Sequence, residues 1–409
     1  MTATAAHKRI TALVFISLLS AYILSQFFRV FLSVIAVDLT RELGLNAADL
    51  GAVSAIWFAT FALAQFPVGF LLDRFGPRRT VGGLLMVAVL GGVWFALARS
   101  YTDCLFGMAL IGIGCSPVLM GSLFVFGRSY PAERFAMMAS LMIGLGSFGN
   151  LISSSPLAWG VAHVGWRWSL GFIVLLTGLS ATFILTMLKD PPVIASSEPS
   201  SGLWQGLCRI IGIKGLWPLM PLTLISYAVI VATRSLWITP FFRDVHGSDL
   251  QELGLVALMM SVTMTIGALA YGPIERWSGS PRRTTLWGSF ITAISFITMG
   301  VLGPESFVTS LVCLGIAGAA GLTYGILMSH AKLFIPAEVL GRGITWLNFL
   351  FIAGAGVIQY GSGQLVQATL DLGTSPAAAF SKLFLLFGLI LLASTAIYTR
   401  STERPASAQ

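Results

Sequence analysis

Twelve blocks of apolar residues, most of them about 20 to 28 long, alternate with short polar segments along the chain. They cover residues 11–37, 48–72, 80–98, 102–127, 135–162 and 166–188, then 216–241, 250–274, 284–303, 307–334, 343–366 and 378–398. A helix rises about 1.5 Å per residue, so about 20 residues cross a hydrocarbon core about 30 Å thick. Lipid offers the backbone no hydrogen-bond partner, so blocks of this length must be helices. The pattern predicts an all-α membrane protein with twelve transmembrane helices.

The longest polar interruption, residues 190–214, separates six blocks from six. It opens with Pro191 and Pro192 and passes through Ser196, Ser197, Glu198, Pro199, Ser200 and Ser201, a linker by composition. Within it Leu203, Trp204, Leu207, Ile210 and Ile211 share one helical face, with Arg209 and Lys214 close by. That pattern predicts a short amphipathic helix on the inner leaflet. The expected organisation is a six-helix bundle over 1–190, a cytoplasmic linker over 191–214 and a second six-helix bundle over 215–409.

Composition narrows the class. Of 409 residues 56% are hydrophobic and 10% charged, against about 25% charged in a soluble domain. The net charge of +8 would suit a nucleic-acid partner only if the basic residues formed a stripe, and here they sit in short clusters between blocks. Of the 24 Lys and Arg, 17 fall on one side of the membrane if the N-terminus is inside. Five fall on the other, and Arg29 and Arg234 lie within blocks. This positive-inside bias predicts cytoplasmic termini in an inner (cytoplasmic) membrane, and no nucleic-acid partner. Lys8 and Arg9 precede an apolar stretch too long for a cleavable signal core. Cys104, Cys115, Cys208 and Cys313 lack metal-ligand spacing and read as small apolar residues. No metal, cofactor or catalytic triad is expected, and an enzyme is the least favoured class.

The halves repeat one another. Gly69, Asp73, Arg74, Gly76, Arg78, Arg79 and Thr80 follow the second block, and Gly272, Glu275, Arg276, Gly279, Arg282, Arg283 and Thr284 follow the eighth. Pro131, Ala132, Glu133 and Arg134 follow the fourth; Pro336, Ala337 and Glu338, with Arg342 beyond, follow the tenth. Such a duplication relates two pseudo-symmetric bundles about an axis along the membrane normal. The first loop resembles the signature between the second and third helices of the major facilitator superfamily, and Gly165, Trp166, Arg167 and Trp168 at the start of the sixth block are also frequent there. The resemblance covers the whole chain through helix count, linker and repeat. It implies two bundles rocking around a central cavity. Asp73 can pair with a neighbouring arginine and with a helix N-terminus of the other half, latching the outward-open state, with Glu275 as its counterpart. Gly69, Gly76, Arg74, Arg78 and Arg276 complete the candidate gate; the plainer reading is that the basic residues only fix topology.

Arg29 and Arg234 occupy matching places in the first and seventh blocks, each seven residues after a tyrosine, Tyr22 and Tyr227. A charge at mid-span costs about 2.5–3.5 kcal/mol on insertion scales. Every Asp and Glu falls in a predicted loop or helix end, so an anionic substrate is the natural partner. Arginine holds carboxylate or phosphate through a two-pronged fork. The plainer alternative has each arginine bonding backbone carbonyls and water. Arginines at these places also resemble the organophosphate–phosphate exchangers and anion:cation symporters of the superfamily, which implies that the two clamp the substrate from opposite bundles. Gln26, Asn150, Gln359 and Tyr324 are either cavity-lining or interhelical glue, and His330 is either a proton site or a packed histidine.

The leading expectation is a secondary carrier of a small organic or phosphorylated anion, with a coupling ion or counter-anion left open and a monomer expected. A proton-coupled exporter of drugs or amphiphiles is the alternative. In such antiporters an arginine stands four residues before the Gly-x-Gly of the fourth helix, where this chain has Met108 before Gly112 and Gly114, and the fifth-helix Gly–Pro signature is echoed only by Gly149, Pro156 and Gly160. A ligand sensor of the same fold is the third reading.

Overall fold

The structure, a computed structural model, describes residues 2–129, 138, 141–188, 210–335 and 340–403. Of the expected linker helix from Leu203 to Ile211 only Ile210 and Ile211 fall within these residues, both helical; the repeat segments 131–134 and 336–338 lie outside them. The described chain is helical, with no strand among the described residues. Before the linker come α1 (Thr2–Val30), α2 (Leu32–Leu43), α3 (Ala47–Ala96), α4 (Tyr101–Cys115), α5 (Pro117–Ser129), α6 (Phe148–Ile152) and α7 (Ser155–Met187). After it come α8 (Met220–Ala232), α9 (Ile238–His246), α10 (Leu250–Ser278), α11 (Pro281–Leu302), α12 (Phe307–Gly321), α13 (Tyr324–Lys332), α14 (Leu340–Asp371) and α15 (Pro376–Tyr398).

Among the described residues eleven helical stretches are long and apolar enough to cross a membrane, and one of them, Leu141–Met187, is 47 residues long. At about 20 residues per crossing that stretch accounts for two passes, which makes twelve. It divides at Gly165, whose φ of +81° lies in the left-handed region that residues with a Cβ avoid. The 50-residue run of α3 divides the same way at Gly76, at φ +77° and followed by Pro77. Side-chain caps set other ends. Asp249 and Glu252 form a capping box on α10, and the Ser280 hydroxyl accepts from the Arg283 N–H at the start of α11.

The first, fourth, seventh and tenth crossings are each interrupted near mid-span: at Phe31, at Ser116, by a π-helical turn over Thr233–Trp237, and at Leu322 and Thr323. The fifth is also broken, at Ser147 and Ser153–Ser154. Contacts divide the chain into two compact units, Met1–Leu45 with Ile56–Ala195 and Asn46–Ala55 with Ser196–Gln409. In the first unit the aromatic core runs through Phe27, Phe31, Phe95 and Trp166. In the second it runs through Trp237, Phe241, Phe380, Phe384 and Phe296.

Close helix approach occurs at equivalent glycines. A Cβ at Gly149 would meet the Ile23 carbonyl oxygen, with the Gln26 Cβ 2.8 Å and the Phe27 N 2.9 Å away. A Cβ at Gly354 would meet the Leu224 carbonyl, its carbon at 2.9 Å. These contacts fix how α1 and α8 sit in their own units. One carboxylate departs from the expected placement in loops and helix ends: Asp38 lies inside α2, 9% exposed, and pairs with Arg41 at 2.7 Å. The helix runs on to Leu43 because Gly44 supplies its left-handed cap.

Candidate substrate site

In the first unit Tyr22, Gln26 and Arg29 project from one face of α1, as their spacing of about one helical turn dictates. The Arg29 guanidinium stands 5.3 Å from the ring centre of Trp57 and 5.6 Å from that of Phe61, and the two rings stack at 4.9 Å. A cation over an aromatic face gains about 0.5–2 kcal/mol, more as water is excluded. The pair therefore holds the arginine in place while leaving it half-buried. Tyr22 packs where Gly146 leaves room, Gln26 beside Gly149, and Asn150 follows half-buried. Trp57 and Phe61 were not among the residues singled out from sequence; their spacing of four in an apolar block reads as ordinary core.

The second unit treats its arginine differently. Arg234 lies in the π-helical turn, is 1% exposed, and donates from Nε to the Ser261 hydroxyl at 2.9 Å. A π-helical turn re-aims side chains and recurs at functional sites. By the repeat, Val231 and Met260 stand where Gln26 and Trp57 stand in the first half, so this arginine faces a hydroxyl in place of an aromatic wall. Tyr227 and Tyr324 approach at 6.1 Å, Phe351 lies 4.4 Å from Tyr324, and the Tyr324 hydroxyl donates to Asn348 Oδ1 at 3.0 Å. Asn348 was not among the residues singled out from sequence. Gln359 is wholly buried; its Nε2 donates to Ser235 Oγ at 3.1 Å and its Oε1 accepts from the Ser54 hydroxyl. Of the two roles weighed for Gln359, the geometry favours interhelical glue.

His330 joins a separate network at the inner end of the second unit. Its Nε2 lies 3.0 Å from the Thr402 carbonyl and its Nδ1 2.6 Å from the Tyr398 hydroxyl. A carbonyl only accepts, so Nε2 carries a proton, and Nδ1 shares a hydrogen bond with the Tyr398 hydroxyl. Both ring nitrogens are thus engaged in anchoring the segment that follows α15. Arg282 adds a donation to the Thr399 carbonyl, and Glu403 accepts from Ser280 at 3.0 Å and pairs with Arg283 at 3.6 Å.

In the gate loops Arg78 donates to the Leu185 carbonyl near the C-terminus of α7, as Arg282 does for α15. The repeated arginines therefore satisfy orphan carbonyls at the end of the last helix of each half. Arg74 lies over Phe70 and Phe75 at 5.7 and 5.5 Å. Gly69 faces open space and Arg276 is exposed. Glu275 is half-buried beside a cavity of about 400 Å³ that Ser280, Ser329 and Glu403 also line. The side chain of Asp73 lies outside the described residues. At the outer end Glu42 accepts from Trp166 at 3.1 Å and from Arg167, whose other nitrogen bonds the Ala98 carbonyl at 3.0 Å. Burial works against the charge of Glu42, but the Arg167 and Trp166 hydrogen bonds, with the Arg167 and Arg41 charges, outweigh it and hold the carboxyl below its ordinary 4.5.

The family model described as Major Facilitator Superfamily matches residues 18–359. The chain belongs to the Major Facilitator Superfamily. It is a multi-pass membrane transporter of that family and resembles its organic-anion branches. A relative named "Probable L-galactonate transporter" from Escherichia coli (strain K12) is 24% identical over 66% of this chain and 62% of its own. A "Gallate transporter" from Pseudomonas putida is 20% identical over 76% of each chain. An "Efflux pump hmp6" from Hypomyces subiculosus is 22% identical over 87% of this chain and 69% of its own. Among solved structures, a bacterial homologue of the human lysosomal transporter Spinster aligns with a TM-score of 0.78 over 97% of this chain and 98% of that one, at 17% identity. At that identity the likeness speaks to the fold.

Proposed function

We propose that this superfamily member is a secondary transporter of a small organic or phosphorylated anion, working by alternating access, with Arg29 and Arg234 as its charge-bearing substrate contacts. The observation that carries the reading is the setting of Arg29, a permanent positive charge at mid-span, half-buried against the faces of Trp57 and Phe61. A guanidinium held near ring faces still presents its planar N–H fork, the geometry that binds carboxylate or phosphate through two bonds. The L-galactonate and gallate names of two relatives agree in chemical class. Tyr22, Asn150, Tyr227 and Tyr324 are the neighbouring polar candidates, and Gln359 serves as helix glue. Asp73 with Glu275 is the proposed inner gate of a monomer whose termini face the cytoplasm of an inner membrane. A coupling proton or a counter-anion completes the cycle; His330, weighed as a proton site, is instead held by Tyr398 and Thr402.

The test is a thermal-shift screen of purified protein against carboxylates, phosphate esters and lipophilic cations. Anions should stabilise the protein, and Arg29→Gln should abolish the effect. Stabilisation by lipophilic cations alone would transfer the chain to the exporter reading, which the efflux-pump relative favours. Liposome flux with a stabilising anion separates carrier from sensor, and Asp73→Asn should slow that flux while binding persists.

A further inference from the structure

We infer that the π-helical turn over Thr233–Trp237 is a switch that withdraws or presents Arg234, and that Gln359 and Ser362 are the positioning residues that hold it in the withdrawn setting. This rests on the proposed role of Arg234 as a substrate contact. All five residues of the turn are buried, with Arg234 at 1% exposure and its Nε on the Ser261 hydroxyl. An arginine in that setting meets no solute, so its aim must change before it can bind one. The backbone that carries it is built for such a change. A π turn closes its hydrogen bonds over five residues instead of four, as the Ile238 N–H does here on the Thr233 carbonyl. Relaxing it to α-helix turns the segments on its two sides by about 100° relative to one another, one residue's share of a turn. Arg234 is carried with that rotation.

Polar side chains hold the turn from within and from α14. The Thr233 and Ser235 hydroxyls donate to the carbonyls of Val229 and Val231, 2.8 and 2.7 Å away, a back-bonding that loosens a helical ladder. Gln359 Nε2 donates to Ser235 Oγ at 3.1 Å while its Oε1 accepts from Ser54, and Ser362 Oγ accepts from the Trp237 indole at 2.8 Å. Ser362 in turn donates to the Gln359 carbonyl at 2.9 Å, so both holds come from one turn of α14. Both residues are buried, where a broken hydrogen bond leaves its partner unsatisfied at a cost.

The first half is the same design without the latch. At the spacing that matches Arg29 with Arg234 and Gly149 with Gly354, Phe28, Val30 and Leu32 stand for Thr233, Ser235 and Trp237, and Ser154 and Leu157 stand for Gln359 and Ser362. Of these five only Ser154 is polar, and its hydroxyl donates to the Leu151 carbonyl within its own segment. The described residues of that half hold no π turn: α1 is α-helical through Arg29 to Val30, and its arginine is half-buried where Arg234 is sealed. Matched arginines thus differ in exposure where the backbone and its polar holds differ. The burial of Arg234 follows from the turn, not from its place along the crossing.

The experiment reads the accessibility of Arg234 directly. Phenylglyoxal, a small neutral dicarbonyl, condenses with accessible guanidinium groups, and mass spectrometry of the digested protein gives the rate at each arginine. In the wild-type protein Arg29 should react faster than Arg234. Gln359→Leu and Ser362→Ala should each speed the labelling of Arg234 by about tenfold, the shift that one lost hydrogen bond commands, and leave Arg29 at its wild-type rate. Ser235→Ala removes the partner of Gln359 with the loss of a single atom, and it gives the same result if Gln359→Leu does not fold. A general loosening of the fold would raise both rates together and would overturn the switch. So would an Arg234 that labels as fast as Arg29 in the wild-type protein, or one that stays slow in every folded variant. The labelling uses no anion, so its failure leaves the anion reading standing, whereas a screen in which no anion stabilises the protein removes that reading by itself.

Discussion

Gly149→Ala is the sharpest probe of how the first unit positions its arginine. The new Cβ would coincide with the space of the Ile23 carbonyl and come within 2.8 Å of the Gln26 Cβ. Carbon atoms prefer separations of about 3.5–4.0 Å, so α1 and α6 must part by about 1 Å. Overpacking of this kind costs about 1–3 kcal/mol, and a clash with backbone, which cannot rotate away, belongs at the upper end. Exchanging glycine for alanine in a helix returns up to about 1 kcal/mol. The expected net destabilisation is thus about 1–2 kcal/mol. Gly171→Ala is the matched control, since a Cβ there meets nothing within 4 Å, and it should stabilise by about 0.5–1 kcal/mol. Equilibrium denaturant unfolding in detergent, read as a midpoint shift at unchanged slope, measures both. Because Gln26 and Arg29 ride on the displaced stretch of α1, anion binding should weaken in the first variant alone. A Gly149→Ala protein as stable as Gly171→Ala, with binding intact, would refute the packing argument.

Three further outcomes are expected. The Glu42 carboxyl is held below its ordinary 4.5, so its contribution to stability is complete above that value and is lost as pH falls through the lowered folded value. An unfolding series from pH 6 downward should show this acid-sensitive component, and Arg167→Ala should reduce it. Arg78→Ala and Arg282→Ala should each cost about 0.3–1 kcal/mol by removing a cation from the end of α7 or α15, with little effect on anion affinity; a large loss of affinity would contradict the capping role. His330→Ala should release the segment after α15, read as faster tryptic cleavage at Arg400, and unchanged cleavage would show that the Tyr398 and Thr402 hydrogen bonds do not hold it.

The repeat misleads at the level of environment. From Arg29 and Arg234 at matching positions, equal surroundings follow naturally, yet one stands half-buried over aromatic rings and the other is sealed against Ser261. The differences at Gln26 and Val231, and at Trp57 and Met260, are plain in sequence. Their meaning appears only once α3 and α10 are known to supply the neighbours of each arginine.

What sequence alone determined is what lipid demands locally: twelve apolar lengths, the clustering of basic residues between them, the long polar stretch after the sixth, the duplication, and two arginines within apolar blocks. Those features depend on length and hydropathy along one strand of chain, and each block answers to the bilayer independently of the others. Partner choice does not work that way. Which residues meet Arg29, whether Gln359 lines a cavity or ties helices, and where His330 spends its two nitrogens all depend on the rotation and spacing of packed helices. Backbone contacts such as those at Gly149 and Gly354 set that rotation, and they join residues far apart in sequence. The helices were therefore readable one at a time, while the chemistry between them had to wait for the packed structure.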